Sequence, residues 1–261
     1  IVVHRQLWLI GLLTTEVWTN TGAADFTFGA IPGAFTDHGC AAKYSVVSMD
    51  NAAYWLSSDR QGHGIIVKTN DVYGVVALPD GHREVQTFHW GLVPSWAKDE
   101  KIGSRMINAR AETLSEKPSF KGLFARRRLL VPMDGFYEWR APSAPGAAKT
   151  PMFVHRSDGG LLAAAGLWST WRDPAEDDRW LHSCTVITVA ANVTMRPVHD
   201  RMPAFLAERD WAEWLDPANH ETDSLAHLLV PAPDDLLVMH AVRTLVNSVR
   251  NKGAELIEPA D

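Results

Sequence analysis

From Asp71 onward, short apolar runs alternate with turn-forming residues. The runs Asp71–Leu78, Val85–Trp90, Leu129–Pro132, Phe136–Arg140, Met152–His155, Leu161–Leu167 and Cys184–Ala190 are rich in Val, Ile, Phe and Trp. Gly, Pro and Asp bound them, which predicts strands. Asp158-Gly159-Gly160 predicts a hairpin turn between two of them. Helical spacing is expected at Ser119–Arg127, Glu208–Leu215 and Ser224–Leu229. Pro118 stands at a permitted helix start, and Trp211, Trp214 and Leu215 give the second helix an apolar face. Strands following one another with few helices between them imply an α+β fold with a mostly antiparallel sheet.

Upstream of residue 68 the periodicity is weak and turn signals are few. Residues 1–67 therefore read as a divergent N-terminal segment, and 68–261 as the main domain. The most apolar early piece, Leu7–Leu13, lacks a preceding basic cluster and a small-residue cleavage site, so it is expected to be core rather than a secretory signal. No run reaches the roughly 18 apolar residues needed to span a bilayer. The chain begins with Ile, and its first methionine is Met49. It thus reads as a fragment, a processed chain or an imperfect translation.

Two cysteines, Cys40 and Cys184, are too few for a disulfide framework or a structural zinc site, so a reducing compartment is expected. Cys184 falls in an apolar run and is expected to be buried. The formal net charge is −6, so any nucleic-acid site must be a local basic patch.

Five segments stand out: Trp90–Ala97 (WGLVPSWA), Ile107–Thr113 (INARAET), Val131–Trp139 (VPMDGFYEW), His199–Pro203 (HDRMP), and Val246–Asn251 with Gly253–Ile257 (VNSVRN and GAELI). Asn108 and Arg110 are two apart, which on a strand puts both on one face. Such a pair can hold a phosphate or aldehyde oxygen, or be a solvated pair or helix cap. Glu138 lies between Tyr137 and Trp139. Poor solvation there would raise its pKa and suit it to proton transfer; alternatively it turns to water while Tyr137 packs inward. His199 is an acid–base candidate with Asp200 beside it, or a turn histidine bonded to backbone. Trp96 and Trp139 are candidates for base stacking or for core packing. Lys121, Arg126, Arg127 and Arg128 form the densest basic cluster, either a phosphate track or the cationic end of a helix.

Together and in this order, the five segments resemble the SOS response-associated peptidase (SRAP) family over about Thr69–Pro259. The resemblance implies a barrel-like β core with peripheral helices. It also implies an abasic-site sensor of the DNA-damage response that binds single-stranded DNA. In the family, an N-terminal cysteine attacks the ring-opened aldehyde, and its amine and thiol close a thiazolidine. The resemblance carries catalytic roles onto Asn108, Glu138 and His199, with Cys40 as the nucleophile. Asn108 would position amine and lesion, Glu138 would shuttle protons, and His199 would promote sugar-ring opening. Arg110, Arg128, Trp96 and Trp139 would contact DNA. No cofactor, metal or membrane is implied. A monomer in the bacterial cytoplasm, associated with the nucleoid, is expected.

The family begins Met-Cys-Gly-Arg, whereas this chain has Gly39-Cys40-Ala41-Ala42-Lys43. The family's Tyr-Asn-Val-Ala-Pro-Thr loop survives only at Thr69. Either the start is mistranslated or it has diverged and Cys40 is unused. Two alternatives to the covalent reading stay open: a non-covalent single-strand-binding module, and a cysteine hydrolase pairing Cys40 with His199.

Overall fold

In a computed structural model, contacts divide the chain into two compact units, Ile1–Asp71 and Val72–Asp261. Of residues 1–70, only the strand backbones are described. Beyond them the description covers the chain except residues 143–145, 147, 177, 249–250, 252–253 and 261, with no side-chain account of 71 or 254.

In the first unit, β1 (Val2–Val3), β2 (Gln6–Ile10), β3 (Thr15–Asn20) and β4 (Phe28–Thr36) form one antiparallel sheet in chain order. A second sheet holds β5 (Val47–Met49), β6 (Ala52–Ser58) and β7 (Gly64–Lys68).

The second unit is built on β8 (Asp71–Ala77), β9 (Arg83–Trp90), β10 (Asn108–Arg110), β11 (Arg128–Met133), β12 (Gly135–Arg140), β13 (Thr150–Arg156), β14 (Leu162–Arg172), β15 (Trp180–Ala190), β16 (Arg201–Pro203) and β17 (Leu237–Ala241). β11, β8, β9, β15 and β14 close into a five-stranded barrel, sealed where β9 pairs with β15 in parallel. Phe88 on β9 and Leu129 on β11 are fully buried and meet over β8, where a Cβ on Gly74 would touch both side chains. The helices sit outside: α1 (Pro118–Arg126), α2 (Trp211–Leu215) and α3 (Thr222–Ala226). On α1, Phe120 and Phe124 are four apart and both buried, the spacing that puts two side chains on one helical face. The expected α+β class, barrel-like core and peripheral helices are all present.

The Asp158–Gly160 turn departs from expectation. Gly159 takes the left-handed backbone expected of a tight reversal, with φ of 72°. Yet the turn closes no hairpin. Both edges of β13 are occupied, by β12 and β17, and β14 runs between β11 and β15. The turn passes the chain from a three-stranded sheet into the barrel.

β15 positions two of the short strands that border the candidate site, β10 and β16. Along one edge it meets β14 and then β16; along the other it meets β9 and then β10, both parallel to it. β10 and β16 are each three residues long, too short for alternation to reveal. The link from β9 to β10 is held by an approach of bare backbones: a Cβ on Gly91 would meet the Gly103 carbonyl oxygen at 2.8 Å, and Gly91 has φ of 125°. Only glycine fits there without strain.

Candidate functional site

The five sequence segments converge through specific contacts. The Trp90 indole Nε1 donates to the Ile107 carbonyl at 2.9 Å, joining the first segment to the second. Arg201 grips Glu112 with two bonds, Nη1–Oε1 at 2.6 Å and Nη2–Oε2 at 2.9 Å, joining the second to the fourth. The same guanidinium donates to the Thr188 carbonyl on β15. Trp139 Nε1 donates to Asn247 Oδ1 at 2.7 Å, joining the third to the last.

The third and fourth segments meet at Glu138 and His199. β12 reaches this place because Phe136 packs on Phe205, centroids 6.0 Å apart, just beyond β16. Two residues along, Glu138 is half-buried, and burial pushes its carboxyl up from the usual carboxylate range. His199 acts most strongly in the opposite direction, followed by the Trp139 backbone N–H and Lys149.

His199 is held by its own turn. The Arg201 backbone N–H donates to its Nδ1 at 2.9 Å, while Asp200 Oδ1 lies 3.2 Å from the same nitrogen. The first contact needs Nδ1 as an acceptor and the second favours it protonated, so both charge states of the ring have a partner there. The turn thus engages Nδ1, and the residue is exposed.

Asn108 and Arg110 are both exposed, with Ala109 buried between them, so they share a face as the spacing predicted. Neither serves as a helix cap: Arg110 precedes the short 3-10 turn Ala111–Thr113 without a side-chain cap. Glu112 is ionised below the usual carboxylate range, chiefly by its hydrogen bond from Arg201, with Arg110 adding a smaller pull.

Trp96 is 60% exposed, on a segment fixed by Val93 N–H to Ser183 Oγ at 2.8 Å and by Trp171 Nε1 to the Ala97 carbonyl at 2.7 Å. Trp139 is 36% exposed. Both indoles present surface rather than filling the core.

Arg128 corrects an expectation. It is buried, and its guanidinium donates to the carbonyls of Trp214, Phe124, Ala125, Asp216 and Asn219. With all three of its nitrogens committed to backbone, it has no donor to offer a phosphate. Its neighbour Arg127 lies over the Trp168 ring at 4.5 Å. The basic run is largely the cationic end of α1 and its packing. Cys184 is fully buried in β15, as expected. Cys40 lies outside the described residues. Among the described residues, no cluster of His, Cys, Asp and Glu could hold a metal, and no helix is long and apolar enough to cross a membrane.

Residues 40–249 match the family described as SOS response associated peptidase (SRAP). The chain belongs to the SRAP family. The match starts at Cys40, upstream of Thr69, where the motif resemblance begins. Residues 1–74 also match a family described as Bacteriophage P22 Gp10, beta-propeller. Among SRAP relatives, abasic site processing protein YoqW of Bacillus subtilis is 46% identical over 169 residues, covering 65% of this chain and 74% of that one. Abasic site processing protein HMCES of Gallus gallus is 34% identical over 202 residues, covering 69% and 58%. A crystal structure of a protein from Bacteroides thetaiotaomicron superposes with a TM-score of 0.64 at 28% identity, covering 78% of this chain and 87% of that one.

Sequence reasoning missed Lys149 as a charge acting on Glu138, and Asn247 as the partner of Trp139. Asn247 lay within a quoted segment, so its motif was the available signal. Lys149 has no local pattern; only the pairing of β12 with β13 brings it near.

Proposed function

We propose that this SRAP chain recognises abasic sites in single-stranded DNA, and that Cys40 traps the lesion covalently once its amine is free. The observation that supports the reading most is the meeting of Glu138 and His199, two acid–base groups sixty-one positions apart. The names of the curated relatives point to the same lesion.

The chemistry asks for such a pair. The ring-closed sugar must open to its aldehyde, and an acid at the ring oxygen assists. The Cys40 amine then adds to the aldehyde carbon, and the carbinolamine loses water to give an imine. Loss of that hydroxyl needs a proton, which a carboxyl with a raised pKa retains nearer neutral pH. The thiol adds to the imine carbon and its proton passes to nitrogen, closing the five-membered ring. One water leaves in all. Asn108 would orient the reacting amine and the lesion, Arg110 would bind a phosphate, and Trp96 and Trp139 would stack on bases, each contact worth roughly 1–3 kcal/mol.

A second reading has its own observation. The Cys40 nitrogen is in peptide linkage to Gly39, so it is no free amine in the chain as written. Until that bond is cut, the unit is a non-covalent binder of the damaged strand.

A denaturing gel tests both. The uncut chain should retain abasic single-stranded DNA on a native gel and release it on the denaturing one. Protein cut between Gly39 and Cys40 should give a denaturation-resistant band. Glu138→Ala and His199→Ala should each slow that band at least tenfold, within the usual span for an acid–base group. Failure of the uncut chain to prefer abasic over intact strands would overturn the proposal.

A further inference from the structure

The DNA-binding reading leaves open how the strand runs beyond the lesion. We infer that the phosphate contact of Arg110 belongs to a wider phosphodiester site, a hollow of about 350 Å³ beside β10 where Arg105, Arg110 and Lys117 converge. The inference rests on the single-strand reading above and adds a path for the flanking backbone.

Three separate elements bring these cations to one place. Arg105 ends the 3-10 helix Glu100–Arg105, Arg110 ends β10, and Lys117 immediately precedes α1. All three are exposed. The hollow also takes Asn108, Thr113 and Ser119, groups able to hydrogen-bond phosphate oxygens, and no carboxylate lines it.

Among the described residues, none of the three cations has a carboxylate within ion-pair distance, whereas Arg156, Arg179, Arg201 and Arg209 all do. Glu112, the acid nearest in sequence to Arg110, is gripped by Arg201. A second hollow, lined by His89, Trp90, Glu100, Lys101, Ser104 and Arg179, makes the contrast: its Arg179 is paired with Glu100 and its charge is largely cancelled. On a molecule of net charge −6, three cations without an ion-pair partner in one concavity make a local anion site. Asn108 belongs both to this hollow and to the proposed catalytic group, so a strand bound at one is continuous with the other.

The ligand is therefore the sugar-phosphate backbone next to the lesion. The salt dependence of binding reads it directly. Each phosphate contact contributes about 0.7 to the slope of log K against log salt for a single strand. Arg105→Gln/Lys117→Gln should flatten the slope by about 1.4 and weaken binding on the order of 25-fold at about 0.1 M salt. Arg105→Lys/Lys117→Arg, which keeps both charges, should restore the slope. Arg83→Gln, a cation removed elsewhere on the surface, should leave it unchanged. Circular dichroism confirms that each variant is folded.

An unchanged slope in the double glutamine variant, with wild type binding normally, would overturn the hollow alone. A wild type that binds no single strand would overturn the hollow and the proposed function together. Displacement of the strand by inorganic phosphate at fixed ionic strength would assign the hollow to a small free anion, and would also overturn it.

Discussion

The residue that decides most is Glu138. Its carboxyl is half-buried, and burial holds its pKa above the usual carboxylate range. The folded state therefore binds that proton more tightly than the unfolded chain. The stability it contributes is present below the unfolded pKa and is lost as pH rises through the raised folded value. Glu138→Gln cannot ionise, so its melting temperature should rise relative to wild type as pH climbs from about 4 to about 8, while reactivity falls. A constant difference across that range would contradict the assignment. Arg128 makes the opposite case. Its loss would strand five carbonyls, so Arg128→Ala should cost about 3 kcal/mol or more in urea unfolding and leave strand affinity within about twofold. The sequence could not separate Arg128 from Arg110. Both are arginines beside apolar runs, and only the docking of α2 against β11 turns one of them inward.

At the scale of elements, the site depends on β10 and β16 holding their places on β15 and on β12 in its own sheet. The Arg201–Glu112 pair is the tie between the β10 segment and β16. Arg201→Ala should lower stability by about 2 kcal/mol. Glu112 has a lowered pKa, so its share of that stability is present above the unfolded value and fades as pH falls through the lowered folded one. The deficit of the variant should therefore narrow in acid. At the start of β12, a Cβ on Gly135 would meet the Val154 carbonyl oxygen at 2.4 Å and the Phe153 ring at 2.6 Å. Gly135→Ala should shift β12, cost about 1–3 kcal/mol and slow any chemistry that needs Glu138 beside His199. The long strands were legible because β-branched and aromatic runs were bounded by turn residues. β10 and β16 were visible only as motifs, since three residues cannot display a period. The Asp158–Gly160 turn was read correctly as a turn and wrongly as a hairpin. Turn chemistry fixes a local reversal, while strand partners are chosen by the whole barrel.

For the whole molecule, the closed barrel and the contacts that join five separated segments are what SRAP membership means physically. The fold class followed from the succession of strands, and the closure came from the family resemblance. Asn108, Glu138 and His199 are singled out by their motifs rather than by their residue types, which recur throughout the chain. The central claim is that this assembly serves an aminothiol supplied by Cys40. Intact mass spectrometry tests it most directly, on protein cut between Gly39 and Cys40 and mixed with single-stranded DNA carrying one abasic site. The account predicts a stable species at the summed masses less one water, absent from Cys40→Ala. No such species, or one that persists in Cys40→Ala, would contradict it.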